Sequence, residues 1–186
     1  STGMASEGEI DEAVKTARSA GCTQLVLLHC ISSYPAPIDQ ANIKQIRNIA
    51  KRFDVISGLS DHTLGTTVSV AAVAQGASLI EKHFTLSRKD KGPDSEFSLE
   101  PADLKKLCID TKDAWLALGK EGFKRQKAEE NSKVFRRSLY FIKDLPEGHL
   151  INAQDIKRIR PGKGLLPKYF EKVVGKRTTK DIKKGT

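Results

Sequence analysis

VISGLSDHT, residues 55–63, begins as an apolar run and ends in a polar cluster. The run from Val55 to Ser60 is short and almost unbroken, the mark of a strand buried on both faces. Ser60, Asp61, His62 and Thr63 crowd its C-terminal end, where parallel α/β folds gather the loops that bind ligands. The same unit recurs on either side. Residues 25–30 (LVLLHC) are predicted as a strand running into Ile31, Ser32, Ser33, Tyr34 and Pro35. Residues 79–84 (LIEKHF) are predicted as another, with Glu81, Lys82, His83 and Thr85 at its end.

Helical patterns separate these strands. Ser6-Glu7-Gly8-Glu9 has the residues of a capping box, in which a serine hydroxyl and a glutamate carboxylate satisfy free N–H groups at a helix start. Ile10, Ala13, Val14 and Ala17 follow at helical spacing, and Gly21 ends the helix. Residues 42–52 put Ile43, Ile46, Ile49 and Ala50 on one face, and residues 66–74 make a helix of small side chains. Pro101 suits a first helical turn, after which Leu104, Leu107, Cys108, Thr111, Trp115 and Leu118 form the stripe of a long closing helix. Strand–helix alternation predicts a parallel α/β sheet, open or closed into a barrel, over residues 1–118.

Residues 119–134 are polar and read as a linker. Residues 135–186 change character, with predicted strands over 138–142 and 157–160, a turn at Pro146-Glu147-Gly148 and a short helix over 167–174. This is a separate small domain with little core of its own. Its closing stretch KDIKKG (180–185) echoes KDLPEG (143–148). So few parallel strands would leave apolar edges unpaired, so the chain is expected to be part of a longer protein, cut at both ends.

Composition narrows the classes. No apolar run approaches the roughly 20 residues needed to cross a bilayer, and no signal peptide opens the chain. Cys22, Cys30 and Cys108 stand singly in apolar runs, which reads as reduced, buried thiols in a cytoplasmic protein. The net charge of +9 fits a lysine-rich surface or attraction of anions. Basic residues run through the whole chain without a basic helix or an aromatic RNA-binding signature, which argues against nucleic acid as a partner.

His62 and His83 each end a predicted strand, and two imidazoles at neighbouring strand ends can share one divalent metal. A structural role stays open for each. His29 lies within an apolar strand, and His149 sits in a turn where solvation is expected. Ser32, Ser33, Ser60 and Thr63 place hydroxyls at the same rim. Lys82 would add a cation there if it faces inward, and the set would suit a phosphate. Asp94 in the loop GPDS (92–95) can accept from sugar hydroxyls or shape a turn. Arg160 enters the glycine-rich loop RPGKG (160–164), which unaided reads as a turn.

Together these clusters resemble the sialic acid synthase family. The matching stretches are STGM (1–4), LLHCISSYPAP (27–37), GLSDHTLG (58–65), IEKHFTLSR (80–88), GPDSEFSLEP (92–101), FRRSLY (135–140) and RPGKGLLPKY (160–169). The resemblance implies the C-terminal half of a TIM (β/α)8 barrel followed by a small antifreeze-like (SAF) domain. The implied reaction condenses phosphoenolpyruvate with an open-chain acylamino sugar and releases phosphate, with a divalent metal, usually Mn2+ (Mg2+ or Co2+ also serving), polarising the aldehyde. It makes His62 and His83 the metal ligands and assigns Ser1, Ser32, Ser60 and Tyr34 to phosphoenolpyruvate. Asp94 and Arg160 are assigned to the sugar, Arg160 reaching the partner subunit's barrel in a homodimer.

Ser32-Ser33-Tyr34-Pro35 and Phe135-Arg136-Arg137-Ser138-Leu139 are closest to the family's pseudaminic branch, whose acceptor is a diacetamido-trideoxy-altrose. Ile31 departs from the threonine of many relatives. Neuraminate and legionaminate chemistry are the alternatives within the family, and a non-catalytic carbohydrate-binding module is the alternative outside it. The resemblance also implies phosphate-binding lysines and acidic residues preceding this stretch, so the chain alone is expected to be inactive.

Overall fold

A computed structural model describes all 186 residues, which fall into two compact units, Ser1–Lys120 and Glu121–Thr186. The first unit holds three parallel strands in the order β1 (Val26–Cys30), β2 (Ile56–Asp61) and β3 (Ile80–Lys82). Helices α1 (Glu7–Ser19), α2 (Gln45–Phe53), α3 (Thr67–Ala74) and α4 (Pro101–Leu118) alternate with them.

Local chemistry accounts for the elements. The Ser6–Glu9 capping box is formed in both directions, which satisfies two free N–H groups at the start of α1. Helix α2 ends where Asp54 takes up a left-handed conformation, with φ 50°. Its Ile46, Ile49 and Phe53 are buried: Ile46 packs with Ala41, Leu59, Val68 and Ala72, while Ile49 and Phe53 pack with Val14. Each such aliphatic side chain contributes about 2 kcal/mol by leaving water. Helix α3 is made mostly of small apolar residues, with Ser69 buried among them, and packs on both β2 and α4.

Strand β3 is shorter than its apolar run predicts. Beyond Lys82 the chain leaves β2 and turns to Leu99, whose N–H donates to the His83 carbonyl (2.8 Å) and whose carbonyl accepts from Thr85 N–H (2.9 Å). The closing helix α4 buries only Leu107, and Trp115 stays 65% exposed, so most of its stripe lacks a covering surface in this chain. The cysteines also depart from expectation: Cys30 is buried, but Cys22 and Cys108 are exposed, because one sits just past the end of α1 and the other on the open face of α4. No helix is long and apolar enough to cross a membrane.

The second unit pairs β4 (Ser138–Phe141) antiparallel with β5 (Ile156–Ile159), followed by a 3-10 turn and the one-turn helix α5 (Phe170–Val173). The two echoing hexapeptides bind each other. Leu145 and Ile182 exchange both backbone hydrogen bonds (2.9 and 2.8 Å). Asp144 accepts from Lys184 N–H (2.7 Å), and Asp181 accepts from Glu147 N–H (2.9 Å).

His149, expected to be solvated, instead brings Nε2 within 2.8 Å of the buried Asp155 Oδ2. Lys143 Nζ lies 2.7 Å from the other carboxylate oxygen, close enough for an ion pair although not aligned as a hydrogen bond. The backbone N–H of Asn152 donates to Asp155 and, with Lys143, holds its carboxyl well below the usual carboxylate range. Charge is also less evenly spread than the sequence read as a whole indicates. Of the 32 lysines and arginines, 18 lie in the second unit, against 8 of the 23 acidic residues, which leaves the first unit close to neutral.

Candidate functional site

The parallel register decides which side chains meet at the strand ends. Ser60 pairs with Glu81 and Asp61 with Lys82, so the next step brings His62 beside His83. Strand alternation sends Ser60, His62, Glu81 and His83 to one face and Asp61 and Lys82 to the other. The two imidazole rings lie 5.2 Å apart, centre to centre, at 67°. His62 is buried, whereas the His83 side chain is about one-third exposed.

His62 Nδ1 lies 2.9 Å from the carbonyl oxygen of Ile31. A carbonyl only accepts, so Nδ1 carries the proton and the lone pair of the neutral ring sits on Nε2. Cys30 Sγ lies 3.8 Å from the same Nδ1 and 3.9 Å from Ser32 Oγ. Tyr34 covers the pair, its ring centre 4.3 Å from His62 and 5.9 Å from His83. Phe97 backs His83 at 5.0 Å. Asp94 Oδ2 stands 3.6 Å from His83 Nδ1, beyond hydrogen-bond range but close enough for charge to matter.

The donor set can be tested against a divalent metal. Two imidazoles bound side by side to one ion through nitrogens at roughly 2.1 Å would have ring centres roughly 4.6–5.3 Å apart, a range that includes the separation of His62 and His83. Their neutral nitrogens suit a borderline ion such as Co2+, whereas the harder Mn2+ would need oxygen donors beside them. No third histidine, cysteine or carboxylate groups with them to complete a ligand set. The pair therefore fits as part of such a site.

The remaining candidates are distributed as follows. Ser32 is half-buried, and Gly3 passes so close that a Cβ there would meet Ser32 Oγ at 2.2 Å. That approach fixes the STGM segment, with Thr2 bonded through its N–H to the Leu28 carbonyl (2.9 Å), while Ser1 is exposed. Ser60 is buried and its hydroxyl donates to Glu81 Oε1 (2.7 Å), so it must turn away from Glu81 to donate to a ligand. Arg160 belongs to the second unit and is exposed at the end of β5, in a loop whose Gly162 and Gly164 lie against the backbone of Lys133 and Leu139. His29 donates from Nε2 to the Ala41 carbonyl (2.9 Å) and is buried, a structural position.

Lys82 does not face the rim. Its ammonium is 2% exposed and lies 3.0 Å from Asp61 Oδ2 and 2.6 Å from the Thr63 carbonyl, because the pleat turns it toward α3. Asp61, Glu81 and Phe97 went unassigned in the sequence. A signal for Glu81 was present: Ser-x-His in one strand end and Glu-x-His in the next repeat one spacing, which puts all four side chains on one face.

Residues 1–122 match the NeuB family, and residues 136–186 match the SAF domain. The chain is 40% identical to an N,N'-diacetyllegionaminic acid synthase of Campylobacter jejuni, over 98% of this chain and 56% of that protein. It is 36% identical to a pseudaminic acid synthase of Helicobacter pylori, over its whole length and 55% of that protein. A crystal structure of N-acetylneuraminic acid synthetase from Leptospira borgpetersenii superposes with a TM-score of 0.64 and 37% identity, covering 70% of this chain and 45% of that one. The chain thus spans about half the length of the curated relatives it matches. With its parallel strands, its paired strand-end histidines and its small second unit, the chain belongs to the NeuB family.

Proposed function

We propose that the protein containing this chain condenses phosphoenolpyruvate with a diacetamido-trideoxy-altrose to give pseudaminic acid, and that the chain supplies the second half of a (β/α)8 barrel plus the SAF domain. The observation that carries the reading is the His62–His83 pair, with Ile31 fixing the His62 tautomer so that Nε2 is free to bind. A divalent ion held by these two imidazoles would act as a Lewis acid toward the sugar aldehyde.

The chain's own residues then have distinct tasks. Ser1, Ser32 and Ser60 donate hydroxyl hydrogen bonds to phosphoenolpyruvate, and Tyr34 closes over the histidines and limits water. Asp94 accepts from sugar hydroxyls, and Arg160, from the partner subunit of a homodimer, reaches the acylamino group. C3 of phosphoenolpyruvate attacks the aldehyde carbon, water adds at C2, and phosphate leaves from the tetrahedral intermediate. The SSYP and FRRSL stretches support the altrose sugar. The 40% identity to a legionaminic acid synthase favours a second reading, in which the acceptor is the legionaminic precursor.

The test is phosphate release from phosphoenolpyruvate with Mn2+, using the full-length protein and three acceptors: the altrose sugar, the legionaminic precursor and N-acetylmannosamine. The altrose sugar should give the highest kcat/KM, and His62→Ala should lower the rate at least about a hundredfold. Preference for either other sugar would overturn the branch while keeping the chemistry. An unaltered rate in His62→Ala would overturn the metal reading.

A further inference from the structure

Between the rung that carries Ser60 and Glu81 and the rung that carries the histidines lies one that faces away from the site. Its members are Asp61 and Lys82, whose side chains are 1% and 2% exposed and 3.0 Å apart. Burying two charges costs several kcal/mol of hydration per ion, and the same position filled by apolar residues is often as stable. Stability alone is thus a weak reason for this pair, and its connections indicate another.

Lys82 Nζ forms an ion pair with the Asp61 carboxylate and donates to the Thr63 carbonyl at 2.6 Å. It therefore grips the residues immediately before and after His62, while itself immediately preceding His83. Asp61 closes the bracket from the other side. Its Oδ1 accepts from Thr63 N–H (2.9 Å) and Thr63 Oγ1 (2.7 Å), and its Oδ2 accepts from Ser69 Oγ on α3. Both oxygens of Asp61 are thereby engaged and the Lys82 ammonium has two acceptors within 3.0 Å, and a buried polar network so connected rigidifies its surroundings.

We propose that Asp61 and Lys82 are positioning residues that fix the separation and relative orientation of His62 and His83. The functional meaning of the proposal rests on the metal-site reading above. Its geometric content does not. A pair at the strand ends has no further ladder beyond it: β3 ends at Lys82 and the chain then turns to Leu99. The bracket replaces the missing ladder at the point where two side chains must stay at one distance.

The experiment uses the full-length protein and the double variant Asp61→Asn/Lys82→Met, which leaves no unpaired buried charge and keeps similar volume. Two properties are read. The first is the set of nuclear Overhauser contacts between the His62 and His83 ring protons without metal. The second is the affinity for Mn2+ alone. The double variant should keep its fold by circular dichroism, lose or weaken the inter-ring contacts, and bind Mn2+ about ten- to a hundredfold more weakly, as when outer-shell partners of metal ligands are removed. Unchanged inter-ring contacts in a folded double variant would overturn the proposal.

If the double variant does not fold, Lys82→Arg serves in its place. It keeps a cation opposite Asp61, but its larger planar fork changes the distances to Asp61 and to the Thr63 carbonyl in this buried position, and it should show the same loss in smaller degree. Contacts and affinity equal to wild type in that variant would overturn the proposal equally. His62→Ala separates the two layers. If it leaves Mn2+ affinity unchanged, the metal reading fails, and the ring contacts still decide whether the bracket positions the histidines.

Discussion

Asp155 shows how much one buried side chain can carry in a unit with few apolar residues. It accepts from Asn152 N–H, faces His149 and lies against Lys143, and the carboxylate is held well below its usual range. A group whose folded pKa is depressed contributes stability above its unfolded pKa and loses it as pH falls toward the folded value. Asp155→Asn should therefore destabilise the second unit by about 2 kcal/mol near neutral pH. The difference from wild type should shrink as pH falls below about 4, near the unfolded carboxylate value. Denaturation followed by the amide signals of residues 138–159 measures it, and a difference independent of pH would contradict the assignment. None of this was visible in the sequence, where His149 looked like a turn residue and Asp155 carried no signal. Residue identity gives a histidine's capacity but not its partner. His29 and His62 both donate to a carbonyl, yet only the strand register distinguishes the one that also faces a second imidazole.

At the scale of elements, the sequence was informative wherever a local rule sets the outcome. The capping box of α1, Pro101 at the start of α4 and the three apolar runs all depend on neighbours a few residues away, and each formed at its expected place except that β3 stops short. The length of β3 depended on Leu99, sixteen residues further along than His83, and no local pattern gives such a partner. Gly58 is another such position. A Cβ there would lie 2.3 Å from the Leu79 carbonyl oxygen, the same oxygen that accepts from Leu59 N–H at 2.9 Å. Backbone cannot swing aside as a side chain can, so Gly58→Ala must push β3 away from β2. We expect a loss of about 2 kcal/mol, seen as a fall of roughly 4–8 °C in the melting temperature of a protein this size. An unchanged melting temperature would mean that the strand spacing is not set there.

Across the whole chain, averages concealed what the division into units reveals. A net charge of +9 described neither part, since the first unit is nearly neutral and the second carries the excess. The candidate site was legible as clusters at strand ends, because parallel topology sends those ends to one rim. Its supporting bracket was not, because the pleat hides Asp61 and Lys82 behind the face that motifs describe. The echo between KDLPEG and KDIKKG was legible as repetition, and the structure gives it a meaning: each copy is the other's partner. That reciprocity has a kinetic consequence. The amides of Leu145, Glu147, Ile182 and Lys184 all donate across the junction between the copies, so none can open while the others stay closed. In heavy water the four should exchange deuterium together at one rate, although 31 residues of chain separate the copies, and Asp181→Ala should quicken all four rather than Glu147 alone.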